Sequence, residues 1–252
     1  PELSEDISGT ELMDGFFIFP CFTRDYFFSG EGNWELLEPF GFRIVSGWWG
    51  MGVSGDGSLQ SERLDRIVDI CMEQGYRCDV AADGTRAVQT VLEGHLGEDI
   101  YLHNADGEWS PQGNCHNTIN IWHPALRRVA RDYLAKCAAH IAQSPGIVSC
   151  ELVNEPALSI QKREHGYVYR QLGPGGYSAQ AKAAWHNWLK EKYGSIGRLN
   201  SCWRTGYSNF GDVDAPADLT APAPTDGDTP VLSGPIHGFQ TFRAESHAAW
   251  LA

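Results

Sequence analysis

The sequence has few basic residues and no run of them. Its 252 residues include 19 Lys and Arg against 32 Asp and Glu, which gives a formal net charge of −13 at pH 7. Binding to a nucleic acid backbone requires clustered positive charge. The composition therefore predicts that nucleic acid is not a partner.

Long apolar runs are absent as well. No stretch reaches the roughly 18 apolar residues that a membrane-spanning helix needs, and no secretory signal peptide is recognisable. We therefore expect no membrane partner. The first residue is Pro1 rather than Met, so we expect the natural N-terminus to lie upstream.

The cysteines show neither the spacing of metal ligands nor that of a disulfide framework. The number of cysteines, 7, is odd, and neither a Cys-x-x-Cys pair nor a Cys/His cluster occurs. Several cysteines lie inside apolar runs, as reduced core thiols do. We expect no metal and no other cofactor, and reduced thiols favour a cytoplasmic location.

Four short apolar runs alternate with helical patterns. They are bounded by Gly, Pro or Asn, as buried parallel strands are, and they cover residues 15–22, 42–49, 76–82 and 147–153. A helix with one apolar stripe is predicted between Ser61 and Gly75, and another begins at Pro124. This alternation predicts an α/β fold with a parallel sheet and right-handed crossovers.

Length and loop size decide how much of a barrel is present. A (β/α)8 barrel typically needs about 250 residues, but four strands already take the chain to residue 153. Residues 83–120 and 156–178 have the character of long loops on the carboxyl side of the strands. We therefore predict one domain over residues 1–252, the N-terminal part of a (β/α)8 TIM barrel (strands one to four and a long insertion), truncated at its C-terminal end.

Catalytic chemistry is indicated where the fourth run ends, at Asn154-Glu155-Pro156. A carboxylate at the carboxyl end of a parallel strand points into the mouth of a barrel. Retaining glycosidases need a carboxylic acid that first protonates the leaving oxygen and then acts as a base toward water. We predict this role for Glu155, and we expect Asn154 to hydrogen-bond the 2-hydroxyl of the sugar.

Three segments resemble a known enzyme family. Residues 122–131, residues 184–205 with a Trp-Leu-x-x-Lys-Tyr-Gly pattern, and the Phe242-Arg243 pair resemble the family 42 β-galactosidases. These enzymes belong to the clan of retaining (β/α)8 glycoside hydrolases with an Asn-Glu acid/base motif. The resemblance implies double-displacement cleavage of an oligosaccharide or β-glycoside, with Arg43 supporting the nucleophile, and it makes a homo-oligomer an expectation.

The nucleophile carboxylate is harder to place. Glu151 lies on the same strand as Glu155, about 13 Å away at about 3.3 Å per residue, whereas a retaining pair requires about 5–5.5 Å. Asp83 ends the third run and is kept as a minor candidate. None of the later glutamates ends an apolar run: Glu164, Glu191 and Glu245. We therefore expect the nucleophile outside this chain and the chain alone to be inactive.

Several side chains are candidates for sugar contact, because pyranose rings have apolar C–H faces that stack on indoles. The candidate stacking residues are Trp48, Trp49, Trp109 and Trp122, and the candidates for hydroxyl contact are His123 and Asn117. Trp185 and Trp188 fall on one helix stripe and are predicted to be core residues.

Two other interpretations stay open. Gly50, Gly52 and Gly55 fit G-x-G-x-x-G between a strand and a helix, with Asp79 on the next strand, which is typical of a dinucleotide-binding oxidoreductase. However, five residues separate these glycines from the helix cap at Ser61. The other interpretation is a barrel remnant that binds carbohydrate without turnover, because no second carboxylate is found.

Overall fold

The computed structural model describes residues 34, 44–46, 50–82, 84–110, 119–153, 158–165, 168–219 and 234–251. The first predicted strand, residues 15–22, lies outside them. The chain divides into two compact units. We call residues 1–91 and 129–154 the first unit, and residues 92–128 and 155–252 the second unit.

The described residues form short strands and longer helices. In chain order the strands are β1 (Ile44–Ser46), β2 (Gly52–Val53), β3 (Leu59–Gln60), β4 (Arg77–Ala81), β5 (Ile147–Glu151), β6 (Ser159–His165) and β7 (Val168–Pro174). The helices are α1 (Glu62–Glu73), α2 (Gly84–Leu96), α3 (Pro124–Ile141), α4 (Ala179–Tyr193), α5 (Ile196–Trp203) and α6 (Gly234–Leu251). Short 3-10 helices cover Gly97–Ile100 and Phe210–Asp212. None of the described helices is both long and apolar enough to cross a membrane.

The first unit contains the predicted parallel sheet. Its strand order is β1-β4-β5, and both neighbouring pairs are parallel. Because side chains alternate along a strand, Cys78 and Val80 of β4 are buried, whereas Arg77, Asp79 and Ala81 are only half-buried. The apolar stripe of α1 packs into the same core and comprises Leu64, Ile67, Val68 and Cys71. The α/β prediction is thus confirmed for the second, third and fourth runs.

The ends of α1 confirm one prediction and correct another. Gly75 has a positive φ of 83°, and the N–H groups of Gly75 and Tyr76 donate to the carbonyls of Met72 and Cys71 at 3.0 and 2.9 Å, which is a Schellman ending. Ser61 occupies the N-cap position, but its side chain accepts no hydrogen bond from the helix. Its hydroxyl donates instead to the Asp65 carboxylate at 2.8 Å, since a charged acceptor makes the stronger bond.

Two segments that were expected to be loops contain regular structure. Residues 83–120 include α2, whose side chains Ala87 and Val88 are buried. Residues 156–178 include β6 and β7, which pair as an antiparallel hairpin. The hairpin lacks the usual alternation of apolar and polar residues: Ile160 is buried, but residues 162–165 are all exposed. Without that alternation the sequence gives no strand signal.

The glycines of the dinucleotide-like pattern form a different structure. Gly52 lies in β2, which pairs with β3, so a small hairpin precedes α1. The Asp79 carboxylate accepts hydrogen bonds from Ser46 at 2.7 Å and from Ser149 at 2.5 Å, and so bridges the neighbouring strands. A dinucleotide site needs a helix N-terminus directly after its glycines. Both observations argue against the oxidoreductase interpretation.

The described cysteines are free thiols, as expected. Cys71, Cys78 and Cys137 are buried, Cys150 is half-buried and Cys202 is exposed. Burial raises the pKa of the Cys137 thiol to about 11. A hydrogen bond with Cys78, together with burial, raises the pKa of Cys71. The thiols of Cys71 and Cys137 therefore hold little thiolate at neutral pH and are poor nucleophiles.

The second unit has an aromatic core around Trp185 of α4. Trp185 is fully buried, and its indole N–H donates to the Val213 carbonyl at 2.9 Å. The centroid of its ring lies 5.3 Å from the ring centroid of Trp188 and 5.3 Å from that of Phe239. Trp188 is only half-buried. The predicted core role is thus confirmed for Trp185 and, in part, for Trp188.

Candidate functional site

The segment predicted to carry the acid/base follows β5. This strand ends at Glu151. The carbonyl of Glu151 accepts a hydrogen bond at 2.7 Å from the N–H of Ala82, the residue that follows β4. Most of the predicted site residues lie outside the described residues: Arg43, Trp48, Trp49, Asn117, Asn154 and Glu155, together with Asp83. Their roles stay predictions. Trp109, Trp122 and His123 are described, and all three lie in the second unit.

Trp109 lines a cleft of about 380 Å³. We call it the Trp109 cleft, and its walls are formed by Gly107, Glu108, Trp109, Lys162, Arg170 and Leu172. One wall is the loop after the 3-10 helix Gly97–Ile100, and the other is the β6–β7 hairpin. The volume is at the lower end of the about 300–1,000 Å³ that small-molecule sites occupy.

Asn104 joins the two walls of this cleft. It is buried, and its amide Nδ2 donates to the Glu108 carboxylate at 3.0 Å and to the Leu172 carbonyl at 2.9 Å. Its Oδ1 accepts from the N–H groups of Asp106 and Glu108 at 3.1 and 2.8 Å. A side chain whose hydrogen-bonding groups are all engaged holds its neighbours in one geometry. Glu108 is therefore oriented before any ligand arrives.

Tyr101 supports the indole of Trp109 from behind. The two rings are nearly parallel, at 9°, with centroids 5.2 Å apart. The Tyr101 hydroxyl donates to the Glu93 carboxylate at 2.7 Å. Burial, and then this carboxylate, raise the pKa of Tyr101, so the hydroxyl stays protonated and the support stays in place.

The charged side chains at the cleft compensate one another. Arg170 lies 3.8 Å from Glu108 and 3.3 Å from Glu164, measured between nitrogen and carboxylate oxygen. Lys162 stands opposite Arg170 in the hairpin register. Two cations and two carboxylates therefore share this end of the second unit, and their formal charges cancel.

Trp122 and His123 do not line the Trp109 cleft. Trp122 stacks on Phe242 with centroids 5.5 Å apart, and its buried indole N–H has no hydrogen-bond partner in the described part of the chain. His123 immediately precedes α3, and its Nδ1 accepts a hydrogen bond from the Ala125 N–H in the first turn at 3.2 Å. That bond leaves Nε2 as the ring donor in the neutral form. Sugar contacts at these two residues stay predictions.

Arg243 of α6 forms a hydrogen bond with Leu158, three positions after Glu155 in the sequence. Its guanidinium donates to the Leu158 carbonyl, which also accepts the Gly175 N–H at 2.8 Å. Burial lowers the pKa of Arg243, and Tyr177 opposes that shift. Leu158 is therefore held both by Gly175, just after β7, and by α6. The sequence marked Arg243 only as part of a family-like pair.

Sequence reasoning missed the polar residues of the Trp109 cleft. Glu108, Lys162 and Arg170 come from two segments that lie more than 50 positions apart and carry no motif. The one available signal was Trp109, the predicted stacking residue that directly follows Glu108. No group of three or more His, Cys, Asp or Glu within the described ranges could hold a metal ion.

A protein-family model matches most of the chain. Residues 30–248 match glycoside hydrolase family 42, which is described as beta-galactosidase. The matched range contains the parallel sheet of the first unit, the Trp109 cleft and the aromatic core of the second unit. It also contains Asn154 and Glu155.

Individual relatives match shorter stretches. Beta-galactosidase YesZ from Bacillus licheniformis is 29% identical over 115 residues, which are 44% of this chain and 15% of that protein. A thermophilic beta-amylase from Thermoanaerobacterium thermosulfurigenes is 25% identical over 113 residues, 42% of this chain and 20% of that protein. The matches thus span at most a fifth of the length of these relatives.

A solved structure shows the same fold. The crystal structure of a beta-galactosidase from Bacillus circulans sp. alkalophilus matches with a TM-score of 0.61 at 17% identity, over 86% of this chain and 30% of that one. The sheet and helices described here therefore form part of a TIM barrel. The predicted fold class is confirmed.

Proposed function

Because the chain belongs to glycoside hydrolase family 42, the beta-galactosidase family, we propose that it contributes the acid/base half of a retaining glycosidase that cleaves β-galactosides. The family match over residues 30–248 is the observation that carries this proposal. The position of the Asn-Glu pair supports it, since Glu155 comes four residues after the end of a strand in a parallel sheet. Carboxyl ends of barrel strands are where catalytic residues stand.

In the proposed mechanism Glu155 performs two proton transfers. It donates a proton to the glycosidic oxygen as the bond to the leaving group breaks, and it then removes a proton from the water that releases the sugar. Asn154 holds the 2-hydroxyl, and Arg43 supports the nucleophile carboxylate. No residue of this chain is assigned as that nucleophile.

Glu155→Gln tests the assignment. The amide keeps the size of the side chain but cannot transfer the proton, so kcat toward an alkyl or disaccharide β-galactoside should fall about 10²–10⁴-fold. A substrate with a strongly acidic phenol as leaving group needs little protonation, and its bond cleavage should fall much less. The measurement is initial rates on both substrates, made on a protein that also supplies the nucleophile carboxylate.

The control is Glu191→Gln, an exposed glutamate of α4, which should leave both rates unchanged. Full activity of Glu155→Gln on the poor-leaving-group substrate would show that the acid/base is elsewhere. Oligosaccharide binding without any turnover, in an unaltered protein that also supplies the nucleophile carboxylate, would favour the second interpretation, a carbohydrate-binding barrel remnant. The Trp109 cleft is the feature that supports that interpretation.

A further inference from the structure

We propose that the Trp109 cleft is a subsite for a neutral hexopyranose unit of the glycan. The inference rests on the proposed function for the identity of the sugar but not for the existence of the site. The cleft belongs to the second unit by itself, and all of its lining residues are described.

The indole supplies the apolar surface for a sugar ring. Trp109 is half-buried and braced by Tyr101 at 5.2 Å, so its orientation is fixed before binding. The face of an indole carries partial negative charge, and the C–H bonds of a pyranose carry partial positive charge, so the two surfaces attract. A braced ring also loses little conformational freedom on binding, which favours affinity.

The walls supply hydrogen-bonding groups of both kinds. The Glu108 carboxylate accepts from sugar hydroxyls, and the Lys162 ammonium and the Arg170 guanidinium donate to them. Asn104 fixes Glu108, as its 3.0 Å hydrogen bond shows. Sugar recognition needs this combination of one flat apolar surface with a few oriented polar groups.

Charge balance decides in favour of a neutral ring. The lining carries one carboxylate, Glu108, and two cations, Lys162 and Arg170. Glu164, outside the lining, lies 3.3 Å from Arg170 and brings the formal sum of the four charges to zero. A carboxylated sugar would have to approach Glu108 and would gain no net attraction. A neutral hexose meets donors and acceptors without that repulsion.

The test is calorimetric titration of a neutral β-galacto-oligosaccharide into the Glu155→Gln protein, in which turnover is suppressed. Trp109→Ala in this background should weaken binding about tenfold, the usual size of effect when a buried aromatic anchor is truncated. Trp109→Phe, which keeps an aromatic face, should lose less. Lys162→Ala should weaken binding a few-fold, whereas the matched exposed Lys182→Ala of α4 should not.

Three outcomes would overturn the subsite. The first is no measurable binding of the neutral oligosaccharide by the Glu155→Gln protein. The second is an unchanged affinity after Trp109→Ala in a protein whose circular dichroism shows an intact fold. The third is tighter binding of a uronate oligosaccharide than of the neutral one. Activity separates this inference from the proposed function. Hydrolysis is measured separately, with Glu155 intact and the nucleophile carboxylate supplied. If Trp109→Ala lowers affinity but that protein hydrolyses no galactoside, the subsite stands and the enzyme assignment fails. Unchanged affinity together with active hydrolysis has the opposite meaning.

Discussion

The two units differ in what fills their cores. In the first unit, aliphatic side chains and thiols such as Val80, Leu64 and Cys71 pack with two tyrosines between a parallel sheet and helices. In the second unit, stacked aromatic rings surround Trp185, and an indole hydrogen bond to Val213 fixes the central ring. The first core depends on close packing of small groups, whereas the second depends on a few large rings. Substitutions should therefore affect the two units by different mechanisms.

The largest expected effect comes from removing the central ring of the second unit. Trp185→Ala should lower the free energy of unfolding by about 3–5 kcal/mol, because it leaves a cavity and the Val213 carbonyl without its donor. Trp185→Phe keeps a ring and should cost less. Denaturant titration gives the magnitude, and hydrogen exchange should show the loss of protection in α4, α5 and α6. Equal loss with Ala and Phe would mean that the ring stack is not what holds this core.

The next effect tests close packing in the first unit. Gly146 precedes β5, and an added Cβ would lie 2.3 Å from Cγ1 of Val68 and 2.6 Å from Sδ of Met72. Gly146→Ala should therefore destabilise the protein by about 1–3 kcal/mol. Gly94→Ala is the matched control, because that glycine is exposed within α2 and a Cβ there meets nothing within 4 Å. It should stabilise by about 0.5–1 kcal/mol, and thermal unfolding distinguishes the two signs.

The smallest effect concerns charge at the edge of the aromatic core. The Trp188 indole donates to the Glu245 carboxylate at 2.5 Å, and this bond, assisted by Lys192, lowers the pKa of Glu245. A lowered carboxyl pKa contributes stability above the unfolded value near 4.5, and this contribution is lost as the pH falls through the folded value. Trp188→Phe should remove part of it.

Urea titrations at pH 7 and pH 3 check this effect. The cost of Trp188→Phe should be greater at pH 7 by less than about 1 kcal/mol, because the pair is well exposed to water. In a Glu245→Gln background the pH dependence of that cost should disappear. A cost that is the same at both pH values in both backgrounds would assign it to ring packing alone.

The sequence predicts the structure of the first unit better than that of the second, because only buried regular elements impose a short-range pattern of apolar residues. Buried parallel strands and an amphipathic helix impose short-range patterns, so β4, β5 and the stripe of α1 were predictable within one or two residues. The β6–β7 hairpin is exposed along most of its length and imposes no such pattern. The walls of the Trp109 cleft come from distant segments, and only the tertiary fold brings Glu108 to Arg170. Trp109 itself was predictable from its residue type and loop.

The hairpin of β6 and β7 is fixed at its base and exposed toward its tip. At the base, an added Cβ on Gly175 would lie 2.9 Å from the Cβ of Leu102, and Leu158 accepts the Gly175 N–H at 2.8 Å. Toward the tip, beyond Lys162, the side chains of β6 are exposed. Insertions cost least at such a tip. Evolution, or a designer who grafts a peptide, can therefore change the length of the hairpin without disturbing its base. Each added pair of residues would extend the cleft wall along a bound chain.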